Sequence, residues 1–457
     1  MLITIIAGAF VLGVVILVHE FGHFIVAKVS GVFVKTFSVG FGKKLLKKRF
    51  GDTQYALSAL PFGGYVKFAG EVDESTDDAP AEEPPSGEVP DREISPEKYF
   101  RNKRVLIKSA VIVAGPLMNF VLAIFIYTGI YNFQGIRVIP TTTIGHVIPD
   151  SPADSCGLQV WDEILAIDGK QVANWGEVND AILEDWDSAK RFEVLRGGEK
   201  IDIGFKGKVK DNRISLGFLP HIPAKIGQVK RDAPAYKAGM RTGAIIEAIN
   251  DTSITSYYEI EDVIHPRPGI PLVIQWSFDG EAHVDTVVPE AKKILKEGSK
   301  TELRIVGQIG VGPYYERKQV GFLKAVQMGS TAAYRMTAEI LSFLKLLFTG
   351  KAGLDSLGGP ILITQMAGDM ARWGFNYLLY FLAFFSINLC IFNLLPFLPF
   401  DGGHLVLFLY EGAAQRRVNR RVREILTQVG FALIILLMTF VVIMDISRCA
   451  GTSPGLF

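Results

Sequence analysis

The chain has 457 residues, of which 49% are hydrophobic and 21% charged, with 48 Lys+Arg against 47 Asp+Glu and a net charge of +1. That balance lacks the basic footprint of a nucleic-acid-binding protein, so no nucleic-acid partner is expected. Three cysteines exclude a disulfide-built scaffold. The apolar residues lie in a few long runs, the mark of a membrane protein with soluble parts.

In chain order, segment 1–26 opens with an apolar run from Leu2 to about Val26, long enough for a span of about 20 residues. It lacks a basic leader and is too long for a signal peptide's apolar core, so it reads as an uncleaved transmembrane helix. Within 27–104, Phe37–Gly42 and Gln54–Phe68 alternate polar and apolar residues around glycine-rich turns. They predict β-hairpins whose apolarity draws them toward the membrane. Glu71–Lys98, rich in Pro and acidic residues, reads as a loosely ordered tether. A second span is predicted in 105–134.

The next region carries an internal repeat. Ile144-Gly145-His146-Val147, Ser151-Pro152-Ala153, Gly157-Leu158 and Ile164–Asp168 return as Ile226-Gly227-Gln228-Val229, Ala233-Pro234-Ala235, Gly239-Met240 and Ile246–Asn250. Strand and turn signals dominate, which predicts two small α+β domains, 135–220 and 221–315. Amphipathic helices are predicted in 316–374, where Lys324, Arg335, Glu339 and Lys345 alternate with Leu and Phe at helical spacing. A third span follows in 375–396, then a loop, 397–424, a fourth span, 425–446, and a tail, 447–457.

Basic residues orient the spans. Lys43, Lys44, Lys47, Lys48 and Arg49 crowd the first loop, and Arg416, Arg417, Arg420, Arg421 and Arg423 the last. The positive-inside rule places both loops in the cytoplasm, and the termini with the large repeat-bearing segment outside.

His19-Glu20-Phe21-Gly22-His23 is an H-E-x-x-H motif. Histidines at i and i+4 share one helix face and reach one zinc ion, while the intervening Glu is placed to take a proton from water. Ionisable residues inside an apolar span are costly and point to function. A hydrolytic zinc site needs a third protein ligand. The candidate is Asp401, which follows the end of the third span on the same side of the membrane, after Pro396 and Pro399 break the helix. His404 is an alternative ligand. Gly63-Gly64-Tyr65-Val66 is open to two readings, a plain structural hairpin or a strand that pairs with an unwound substrate.

These residues resemble the site-2 proteases. The resemblance is carried by H-E-x-x-H in the first span, by Asn393…Pro396 with Asp401-Gly402 after the third, and by LPFGGYVKFAGE (Leu60–Glu71), GPLMN (Gly115–Asn119) and GGPI (Gly358–Ile361). The two outer repeats resemble bacterial PDZ domains, and Leu216-Gly217-Phe218 and Ile309-Gly310-Val311 resemble the loop whose amides hold a peptide carboxylate there, with ordinary glycine-containing strand ends as the other reading. Trp161 stands where the first copy should have Gly, and Ala244 where the second should have Asp. Pro396 and Pro399 are also one residue further apart than is usual in the family.

The resemblance implies a polytopic α-helical membrane protein with four transmembrane helices, a membrane-associated β-hairpin region and two tandem α+β PDZ-like domains. It implies zinc on His19, His23 and Asp401, Glu20 as general base, and Asn393 contacting the substrate backbone or the oxyanion. Its substrates would be pre-trimmed single-pass membrane proteins, of the anti-sigma factor type, and signal peptide remnants. The outer domains would act as a size filter on the periplasmic side of a bacterial inner membrane. Two other classes compete: an inactive membrane scaffold that binds peptide termini, and a transporter. The complete His/Glu/His/Asp set argues against the first, and four dissimilar spans without inverted repeats against the second.

Overall fold

The computed structural model describes residues 2–70, 94–184, 188–210, 213–295, 303–351, 353, 358–416 and 418–449. Residues 71–93 of the expected tether and the tail beyond 449 lie outside them. Its helices are α1 (Leu2–Val29), α2 (Val105–Gln134), α3 (Pro152–Ser155), α4 (Trp175–Leu183), α5 (Pro234–Lys237), α6 (Tyr257–Ile264), α7 (Phe322–Phe348), α8 (Pro360–Trp373), α9 (Phe375–Asn393), α10 (Asp401–Ala414) and α11 (Arg420–Cys449). The chain divides into two compact units, Met1–Asn132 with Gly321–Pro454, and Phe133–Val320.

Among the described residues, the first unit contains four helices long and apolar enough to cross a membrane: α1, α2, α9 and most of α11. The helical period writes the packing of α1 directly. Ala7, Val11, Val15, His19 and His23 recur every four residues and are all buried, so the two histidines continue the stripe that faces the bundle. Small residues let the helices close on one another, as expected where lipid supplies no hydrophobic drive for association. A Cβ on Gly8 would lie 2.8 Å from Thr364 of α8, and one on Gly22 would lie 2.3 Å from the Ala114 carbonyl of α2.

Two expectations change here. The predicted hairpins are one antiparallel sheet formed by β1 (Val34–Phe50) and β2 (Thr53–Phe68). Both strands double back, so Thr36 pairs with Gln54 and Lys67, and Phe37 with Tyr55 and Val66. Four runs therefore lie side by side in the order 46–50, 53–57, 36–39, 64–68. Gly40, Gly42 and Gly63, at φ of +89°, +84° and +117°, supply left-handed bends that other residues resist. The predicted loop 397–424 is also largely a helix, α10, which begins at Asp401. Gly402 and Gly403 allow close packing there, since Cβ atoms on them would lie within 2.5 Å of backbone atoms of residues 394–398.

The second unit contains the repeat. Each copy builds a four-stranded antiparallel sheet of the same order. In the first it runs Lys170–Gln171, Glu163–Ile167, Lys190–Arg196, Glu199–Phe205, and in the second Thr252–Ser253, Ile245–Ile249, Leu272–Phe278, Glu281–Val287. Asn174 caps α4 through the Glu177 amide, and Ser256 with Glu259 forms a capping box on α6. The two sequence departures also find a physical account. Trp161 takes the left-handed backbone of its counterpart Gly243, φ +75° against +100°, and its ring lies 4.6 Å from that of His221. Asp162, fully buried, holds Arg196 through two 2.7 Å contacts. In the second copy the same two places are Ala244, in the apolar core, and Phe278, packed against that core, so an ion pair in one copy is replaced by two apolar residues in the other.

Candidate active site

Three side chains from two elements of the first unit meet at the end of the α1 stripe. His19 and His23 come from α1, and Asp401 opens α10. His19 Nε2 lies 3.2 Å from His23 Nε2 and 3.2 Å from Asp401 Oδ2, and His23 Nε2 is 3.5 Å from the same oxygen. Among the described residues, these three gather as a cluster able to hold a metal ion. Tetrahedral zinc, with bonds of about 2.0–2.1 Å, sets its ligand atoms about 3.3–3.4 Å apart, so the triangle has the size of one face of such a site.

The donor chemistry fits as well. His23 Nδ1 donates to the Val111 carbonyl at 2.8 Å, which leaves Nε2 bare and pointing inward. Asp401 Oδ2, which faces both Nε2 atoms, is buried without a hydrogen-bond partner among the described residues. Converging lone pairs and a carboxylate repel one another unless a cation lies among them.

The other expected residues divide. Asn393, at the end of α9, puts its Nδ2 3.5 Å from His19 Nε2. Glu20 stands beside the sheet, its Cγ 3.4 Å from where a Cβ on Gly64 would sit. Gly63, Gly64, Tyr65 and Val66 lie in the run 64–68 and just before it, at one end of the sheet order. His404 is outside the cluster: it follows Asp401 by three residues on α10, and burial with the nearby Arg423 charge lowers its pKa. It is not a ligand in this geometry.

Two neighbours were not singled out from sequence. Asn119 of α2 is fully buried with Nδ2 3.4 Å from His19 Nδ1, and Gly115 lies directly against both rings. A Cβ on Gly115 would be 2.3 Å from His23 Nε2 and 2.9 Å from His19 Cε1. The available signal was a polar amide and a Gly-Pro pair inside an apolar span, which the GPLMN motif registered without a role.

Membrane-spanning helices around a His/His/Asp cluster, with a glutamate next to the first histidine, define a membrane-embedded metalloprotease. Comparison with known proteins agrees: the description Peptidase family M50 matches residues 7–437. The chain therefore belongs to Peptidase family M50, and it is a zinc metalloprotease of the site-2 type. A protein of Vibrio cholerae named as a zinc metalloprotease is 31% identical over 97% of this chain and 98% of its own length. The regulator of sigma-E protease RseP of Salmonella typhimurium is 32% identical over 96% and 97%, and that of Escherichia coli 31% over 96% and 97%.

Proposed function

We propose that this protein is a zinc-dependent intramembrane protease that hydrolyses peptide bonds within transmembrane segments of pre-trimmed single-pass membrane proteins. Two of its relatives are named regulator of sigma-E protease RseP, which supports substrates of the anti-sigma factor type, together with signal peptide remnants. The observation that carries the reading is the triangle of His19 Nε2, His23 Nε2 and Asp401 Oδ2, with edges of 3.2, 3.2 and 3.5 Å. Those atoms would hold the zinc ion.

A transmembrane helix resists hydrolysis because its carbonyls are bonded internally and water is excluded. The protein must therefore hold an unwound stretch, admit water and move a proton. Zinc, when bound, polarises the scissile carbonyl and acidifies a water molecule. Glu20 takes the proton from the attacking water and returns it to the leaving amine. Asn393, beside His19, orients the substrate backbone or donates to the developing oxyanion. The run containing Gly63, Gly64, Tyr65 and Val66 pairs with the unwound substrate as an added strand, a role favoured by its place at the end of the sheet and next to Glu20.

The two repeats act as PDZ-like domains that admit only trimmed substrates. Their glycine loops are packed into their own copies: the Gly217 and Gly310 carbonyls accept from Ile148 and Lys230 at 2.8 Å each. The basic loops support a site toward the cytoplasmic side of a bacterial inner membrane, with the β-sheet of β1 and β2 at the bilayer and the repeats in the periplasm.

The test is zinc content and cleavage of a single-span substrate by purified protein. Glu20→Gln is expected to keep zinc and lose about 10²–10⁴ in rate, the range for a proton-transferring group. Undiminished cleavage by that variant sinks the mechanism.

A further inference from the structure

We infer that Asn119 is a positioning residue for the metal centre: its side-chain oxygen accepts the Nδ1 proton of His19 and thereby aims Nε2 at the metal. The inference rests on the assignment of His19, His23 and Asp401 as zinc ligands.

The two imidazoles need the same service. A neutral histidine that binds metal through Nε2 carries its proton on Nδ1, and that N–H requires an acceptor to fix ring and tautomer. His23 has one in the Val111 carbonyl, 2.8 Å from its Nδ1. His19 Nδ1 faces the side-chain amide of Asn119, with the nitrogen 3.4 Å away. An N–H opposite an NH₂ is a meeting of two donors. The other end of the same amide, Oδ1, is buried without a partner. Both faults have one remedy. A half-turn of the amide exchanges nitrogen and oxygen, which are nearly the same size, and brings Oδ1 to the His19 proton.

The surroundings are built for that role. Val111, Gly115 and Asn119 follow one another at intervals of four along one face of α2, so one helix backs both rings. Gly115, between the two acceptors, has no side chain, and this admits the imidazoles. Asn119 is fully buried, and Ser386 Oγ of α9 donates to its main-chain carbonyl at 2.8 Å, which locks α2 against the helix that ends at Asn393. A buried amide inside an apolar span is costly unless it is satisfied, and the half-turn satisfies its oxygen.

The experiment compares full-length wild type, Asn119→Ala and Asn119→Asp in detergent, by zinc competition with a chromophoric chelator and by the visible spectrum of the cobalt-loaded protein. Asn119→Ala is expected to bind zinc about 10–100-fold more weakly, the usual effect of losing an outer partner of a ligating histidine, and to alter the cobalt bands. Asn119→Asp keeps the volume and offers only acceptors, so it should hold zinc at least as tightly as wild type. Unchanged affinity and cobalt spectrum in Asn119→Ala would overturn the assignment. So would weakened binding in Asn119→Asp, since that result means the NH₂ group matters. If Asn119→Ala fails to fold, Asn119→Asp decides the question alone. Wild-type protein that binds no zinc removes the metal reading itself, an outcome distinct from wild-type binding that Asn119→Ala leaves intact.

Discussion

Gly115 shows how little space the metal site leaves. A methyl group there would overlap His23 Nε2 at 2.3 Å, and His23 is held from behind by the Val111 carbonyl at 2.8 Å. The ring cannot retreat without breaking that bond. Gly115→Ala is therefore expected to weaken zinc binding by about 10–100-fold, corresponding to about 1–3 kcal/mol of overpacking. Chelator competition measures it, and intact helicity by circular dichroism separates a local effect from misfolding. The two candidate histidine ligands were legible in the sequence because the helical period alone puts His19 and His23 on one face. Gly115 was not, since its constraint comes from a ring on another helix.

Elements are tied together by polar contacts that span long stretches of sequence. Asp445, buried in α11, accepts from the Gly359 and Leu362 amides at 3.2 and 3.0 Å and so caps the first turn of α8. This gives the GGPI segment a structural purpose, because a Cβ on Gly359 would lie 2.5 Å from the Asp445 carboxylate. Asp445→Ala is expected to cost about 1–2 kcal/mol, as for other lost helix caps, with faster hydrogen exchange at the start of α8 as its signature. The repeats contain a second comparison of this kind. Asp162 and Arg196 form a charged pair where the other copy has Ala244 and Phe278. Arg196→Ala alone leaves a buried carboxylate and should destabilise by about 3 kcal/mol. Asp162→Ala combined with Arg196→Phe, which copies the second repeat, should fall within about 1 kcal/mol of wild type. Chemical denaturation of the full chain in detergent distinguishes the two.

At the scale of the whole molecule, the division into two units predicts how metal affects stability. All three candidate ligands belong to the first unit. A ligand that binds only the folded state stabilises it by about 4 kcal/mol at 1,000 times its dissociation constant. Zinc removal should thus lower the thermal transition of the first unit and leave that of the second in place, as read by scanning calorimetry. A single transition that shifts as a whole would show that the two units unfold together.

The sequence by itself showed the four membrane-length apolar runs, the repeat, the candidate metal-ligand pair on α1 and a candidate third ligand beyond the third run. These follow from composition runs and local periods, which a chain states within a few residues of each position. Tertiary structure decided what stands behind the ligands and how the intervening segments close. Asn119 lies 100 residues from His19, Val111 lies 88 from His23, and Asp445 lies 86 from Gly359. β1 and β2 double back through left-handed glycines, α10 starts at the third ligand, and His404 stays outside the cluster. Each of these depends on which backbone carbonyl, amide or ring arrives from a distant segment, and no local pattern encodes that arrival.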